Sequence, residues 1–98
     1  MNKESLIKKE IKWNHLKIQL LEISDPTKAP YQGISNLKAV DKVNNVVWYA
    51  DTPKAHYDSY HDIELDSEKN ILIANSGIGY RYILNPENGK ILDNYLIK

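Results

Sequence analysis

The chain has no cysteine and no phenylalanine, one methionine, and only four glycines and four prolines in 98 residues. Without cysteine there is no disulfide, no thiolate nucleophile and no zinc–thiolate site, a composition that fits a reducing compartment. No apolar run approaches the roughly 18 residues of a membrane span. Glu4 and Glu10 interrupt the N-terminal lysines where a signal peptide would need an apolar stretch. The expectation is a soluble cytoplasmic chain with no membrane contact. Net charge is also missing: thirteen basic residues balance thirteen acidic ones, which argues against a nucleic-acid partner. HExxH and P-loop patterns are absent, so neither a metal nor a cofactor is expected.

What is present is strand and turn chemistry. Residues 80–92 (YRYILNPENGKIL) read as strand, tight turn, strand. Tyr, Ile and Leu suit a pleated half-buried surface, Pro86 presets the turn, and Gly89 supplies a positive φ. A weaker copy lies at residues 37–48 (LKAVDKVNNVVW). Sliding it forward by about 44 residues puts Val40 on Leu84, Asp41 on Asn85, Asn45 on Gly89, Val47 on Ile91 and Trp48 on Leu92. Strands are predicted at 16–20, 37–41, 46–50, 59–66, 71–76, 79–85 and 90–97, with loops at 24–36 and 51–58. Residues 1–12 are ambiguous, with room for at most one short helix. The fold class is all-β: a single domain over residues 1–98, an antiparallel meander of two blade-like units closing into a small sandwich or half-barrel. Expected core positions are Ile18, Leu20, Val40, Val47, Trp48, Ile63, Leu65, Ile73, Ile83 and Leu92.

The pair NLKAVDKVNNVVW and GYRYILNPENGKIL resembles the repeat of quinoprotein-type propellers, with its aspartate, short turn and apolar–apolar–Trp end. It is also similar to a group of uncharacterised bacterial proteins of about this length. The resemblance covers residues 36–98 and implies a fold rather than an activity, because quinone binding depends on loops that this chain does not have.

Charge is unevenly spread. Residues 51–68 carry Asp51, Asp58, Asp62, Glu64, Asp66 and Glu68 against Lys54 alone. On a strand over 59–66, alternation sends His61, Ile63 and Leu65 to one side and Tyr60, Asp62, Glu64 and Asp66 to the other. Those side chains would stand roughly 6.6 Å apart, close to the spacing of nucleic-acid phosphates, and would fit a basic groove. The candidate partner-binding residues are therefore Asp51, Tyr57, Asp58, Tyr60, Asp62, Glu64, Asp66 and Glu68. The competing explanation is an ordinary solvated strand face. His56 and His61 are the alternative acid–base or ligand candidates. Five residues apart on a strand, they point to opposite faces. Trp48, Tyr80 and Tyr82 offer an aromatic patch or, equally, packing.

The functional expectation is a non-enzymatic binding protein that occludes a protein partner with a basic surface, of the toxin-immunity or phage anti-defence type. A small-molecule or nucleotide-binding domain, even an enzyme using His56 and His61, is the second reading. A structural module whose strand edges pair into a homodimer is the third.

Overall fold

The computed structural model describes residues 7–22, 35–53, 59–77 and 79–97. Eight strands follow in order: β1 (Ile7–Trp13), β2 (Leu16–Leu21), β3 (Leu37–Val40), β4 (Val46–Tyr49), β5 (Tyr60–Asp66), β6 (Ile71–Ser76), β7 (Tyr80–Leu84) and β8 (Ile91–Leu96). They form two antiparallel meanders, β1-β2-β3-β4 and β5-β6-β7-β8, the two blade-like units expected from the sequence. The sheets pack on a common core as a small sandwich. The shortest extent of the molecule, 19 Å, accommodates two sheets about 10 Å apart. Among the described residues there is no helix, and the ambiguous N-terminal segment is a strand from Ile7.

Turn chemistry sets the strand pairing. Asn14, Asn44 and Asn70 take positive φ (55°, 67° and 58°), as do Gly79 (103°) and Gly89 (75°). Each lies between two paired strands, where a left-handed residue lets the chain reverse without splaying the ladder. The hairpins β3–β4 and β7–β8 share a further device. Asp41 Oδ1 accepts the Val43 N–H at 3.0 Å, and Asn85 Oδ1 accepts the Glu87 N–H at 2.9 Å. Both are Asx turns, in which a short polar side chain mimics a backbone carbonyl.

The two hairpins also share a bulge. Val40 pairs with Val46 and Ala39 with Trp48, leaving Val47 unpaired; Leu84 pairs with Ile91 and Ile83 with Asp93, leaving Leu92 unpaired. A bulged residue has no ladder partner and swings outward. Val47 and Leu92, expected in the core, are accordingly 49% and 58% exposed. The second turn is one residue longer, so Trp48 matches Asp93 rather than Leu92.

The core is a single cluster drawn from both sheets, including Ile18, Leu20, Leu37, Ala39, Trp48, Tyr60, Ile63, Leu72, Ala74, Tyr82 and Leu84. Ile18, Leu20, Trp48 and Ile63 sit there as expected. Val40 is buried too, but in the opposite row with Lys17 and Val46. Leu65 is half-buried beside Leu72. Ile73 and Ile83 are half-buried and stand on the outer face, because Leu72, Ala74, Tyr82 and Leu84 take the inner positions. Strand β6 is apolar on both faces, and its alternation alone does not show which side turns inward.

Three sets of side chains join the sheets. The Trp48 indole lies on Gly89 and donates from Nε1 to the Pro86 carbonyl at 3.1 Å. Asp51 continues the junction: its N–H donates to Gly89 O (3.0 Å) and its Oδ2 accepts the Ile91 N–H (3.0 Å). The Tyr60 hydroxyl donates to the Asp51 carbonyl at 2.6 Å, and its ring meets Tyr82 edge to face at 5.6 Å. Buried Asn36 acts as a surrogate strand residue. Its Nδ2 donates to Tyr60 O (2.8 Å) and Leu21 O (3.1 Å), and its Oδ1 accepts the Tyr60 N–H (3.1 Å).

Along the third seam β1 and β5 run in the same direction. Lys8 Nζ donates to His61 O at 2.9 Å, Lys9 Nζ to Ile63 O at 2.7 Å, and Trp13 Nε1 to Asn70 Oδ1 at 2.8 Å.

Two stability measurements check these junctions. A Cβ on Gly89 would stand 2.4 Å from Trp48 Cε3 at a positive φ, so Gly89→Val is expected to cost about 2 kcal/mol or more in urea unfolding. Trp48 emission should shift, because the ring must lift. Asn36→Ala removes three side-chain hydrogen bonds to the backbone of Leu21 and Tyr60, and should also cost about 2 kcal/mol or more by the same measurement.

Candidate functional site

Strand β5 carries the acidic candidates, and its local geometry divides them. A bulge between Tyr60 and Asp62 places Tyr60 opposite Ser76 and Asp62 opposite Asn75. The extra residue moves Tyr60 onto the inner face, where it is only 2% exposed. Tyr60 is thus a core residue and not a contact residue, and the sequence-based alternation fails at this step. From Asp62 onward the alternation holds. Asp62 lies opposite Asn75, Glu64 opposite Ile73, and Asp66 opposite Ile71, all on the outer face.

The carboxylates are not equally available. Asp62 Oδ1 is 3.1 Å from Lys9 Nζ and also accepts the Ile63 N–H at 3.0 Å. The Lys9 hydrogen bond holds its carboxyl below the usual range, helped by the Ile63 N–H and by the charges of Lys9 and Lys8, and opposed by slight burial. Asp66 Oδ1 accepts the Lys69 N–H at 3.1 Å and fastens the β5–β6 turn. Glu64 and Glu68 are exposed, and among the described residues neither carboxylate makes a hydrogen bond or ion pair. Asp51 is exposed, and its Oδ2 accepts the Ile91 N–H at the inter-sheet junction. Tyr57 and Asp58 lie outside the described residues.

Register adds residues that the linear sequence did not single out. Glu64, Ile73, Ile83 and Asp93 form one row across all four strands, and Asp62, Asn75, Arg81 and Tyr95 form the next. Arg81 Nε donates to Asn75 Oδ1 at 3.0 Å. The outer face therefore has half-buried isoleucines (Ile71, Ile73 and Ile83) between carboxylates on both edge strands. Asp93 and Tyr95 sit 25 and 27 residues beyond the end of the acidic stretch at Glu68, and only the β7–β8 register brings them to this face.

The other candidates do not converge. His61 is exposed at the bulge with its ring over Gly77, whose added Cβ would lie 2.7 Å from Nε2; His56 lies outside the described residues. Among the described residues no cluster of three His, Asp or Glu is arranged to hold a metal. Trp48 and Tyr82 are buried in the core and Tyr80 is half-buried, so they pack rather than form a patch. An open cleft of about 450 Å³ lies among three turns, lined by Trp13, His15, Asp41 and Glu87 together with apolar Leu16 and Val47. Asp41 Oδ1 there already accepts the N–H groups of Val43 and Asn45.

Among the described residues no helix is long and apolar enough to cross a membrane. Compared with protein-family models, curated proteins and solved structures, the chain matches none.

The Lys9–Asp62 contact has a pH signature. A depressed folded pKa means that its contribution is complete above the ordinary carboxylate pKa and is lost as pH falls through the lower, folded value. Side-chain exposures of 44% and 61% limit the pair to at most about 1 kcal/mol. In Lys9→Met the Asp62 pKa should return towards the ordinary value in an NMR titration, and acid should lower the urea midpoint less than in the wild type.

Proposed function

We propose that this protein is a non-enzymatic binding protein whose outer β5–β8 face docks on a basic protein surface and occludes it. The observation carrying this reading is the Glu64–Ile73–Ile83–Asp93 row. An apolar centre with a polar rim is the anatomy of a protein interface, and acids at both ends select a basic partner. One-sign charge at the rim also speeds encounter with such a partner. Glu64 and Glu68 supply the uncommitted charge, Asp66 and Asp93 extend it, and Tyr95 is the aromatic anchor. A chain with 6408 Å² of accessible surface has room for a standard interface of roughly 800 Å² per partner. Inhibition of a toxin or of a host defence protein in the cytoplasm is the role that such a small neutral domain would fill.

The test uses the wild-type chain as bait in its host's lysate, followed by affinity measurement against ionic strength. Glu64→Lys with Glu68→Lys should leave the fold intact, since exposed substitutions usually change stability by only about 0.5 kcal/mol. Affinity should fall by well over tenfold, because a close interfacial charge pair is worth about 1.5 kcal/mol or more. Wild-type association should slow as salt shortens the screening length to about 8 Å. A folded double variant that binds as tightly as the wild type would overturn the reading, as would a partner that presents an acidic surface.

A further inference from the structure

Four strand edges border the two sheets, and three are blunted. Edges β1 and β5 cover one another through Lys8 and Lys9, which occupy the His61 and Ile63 carbonyls. Strand β4 has four residues and is bulged at Val47. Strand β8 is six residues long and bulged at Leu92, but from Asp93 to Leu96 its pairing with β7 is regular; among the described residues it pairs with β7 alone, and it has no Lys, Arg or Pro from 91 to 97. Those are the residues that usually keep an edge from pairing. Its side chains are apolar and open to solvent: Leu92, Tyr95, Leu96 and Ile97 are all at least 40% exposed.

Backbone direction along β8 follows from one bond. The Ile97 N–H donates to Gly79 O at 2.9 Å, so Ile97 turns its backbone polar groups towards β7. Alternation gives Tyr95 the same direction and points those of Asn94 and Leu96 at the open side. The Asn94 N–H accordingly takes a side-chain acceptor, Asp93 Oδ1 at 2.8 Å.

The structure assigns this edge to a second copy of the chain. Two copies pair antiparallel along β8, about a two-fold axis at Tyr95, and join their β5–β8 sheets into one of eight strands. Asn94 then faces Leu96 of the second copy as a hydrogen-bonded pair, repeated by symmetry, with each Asn94 N–H exchanging its Asp93 Oδ1 acceptor for the Leu96 carbonyl of the second copy. Tyr95 meets Tyr95 across the axis. Asp93 faces Ile97 and stays clear of its own symmetry mate, so the only charge on the strand meets no like charge. The contact is isologous and closed, which limits it to a dimer. The pairing rests on the β8 backbone and not on the acidic row; it shares Tyr95 with the binding reading above and would place two acidic faces side by side.

Sedimentation equilibrium of the full chain, followed up to about 1 mM, tests the pairing alongside amide hydrogen exchange. Dimer should accumulate with concentration. The Asn94 and Leu96 amides should gain protection in step with it, while the Ile97 amide is protected throughout. Leu96→Lys, at an exposed position, should weaken self-association by about tenfold or more, because two ammonium groups then crowd the axis. Glu64→Lys, which alters the acidic face, should leave it unchanged. A chain that stays monomeric over the whole range, a dimer indifferent to Leu96→Lys, or one lost in Glu64→Lys would each overturn the assignment. A loss of partner binding in Glu64→Lys without a change in dimerisation separates this proposal from the preceding one.

Discussion

The seating of the Trp48 indole on Gly89 is the contact on which the two-sheet arrangement depends. A flat ring can lie against backbone only where no side chain intervenes, and Gly89 is the residue that also turns β7 into β8. One glycine thus serves two needs, a left-handed φ and a bare surface. Around it, Asp51 ties the chain leaving β4 to the start of β8, and Tyr60 reaches Asp51 from the other side of the sandwich. The buried Trp48 Nε1 and the part-buried Tyr60 hydroxyl at this seam are both paired, so packing them carries little desolvation cost.

The turns were the most legible part of the sequence. Asparagine at 44 and glycine at 89 are the residue types that tolerate positive φ, and each stands between apolar runs with period-two alternation. Asp41 and Asn85 anchor their turns through the same Asx bond, which accounts for their matching positions in the repeat. The bulges were not legible. Nothing in the residue types at Val47, Leu92 or His61 distinguishes an unpaired residue from a paired one, yet each bulge re-aims the residues beside it. Two valine or leucine side chains left the core in this way, and Tyr60 entered it. The N-terminal lysines were also opaque, because capping the carbonyls of β5 is visible only once that strand is alongside.

For the site, composition located the charge, and register decided which charges are free. Asp51, Asp62 and Asp66 each bond to the backbone or to a lysine of their own chain, where their carboxylates close turns and edges. Glu64 and Glu68 have longer side chains that do not fold back, and they remain open to solvent. The difference follows a general preference: aspartate bonds locally to nearby N–H groups more readily than glutamate does. Such a stretch is therefore part framework and part surface, in proportions that counting acids does not reveal.

Each sheet is built from one continuous stretch of chain, with every strand hydrogen-bonded to its neighbour in sequence. Loop closure is therefore cheap within either half, since the entropy of joining chain ends grows with their separation. Distant contacts include those of Trp13, Asn36, Trp48, Asp51 and the β1 lysines across the seams. Mating two preformed halves would then be the late event of folding, and the tryptophan ring its natural reporter.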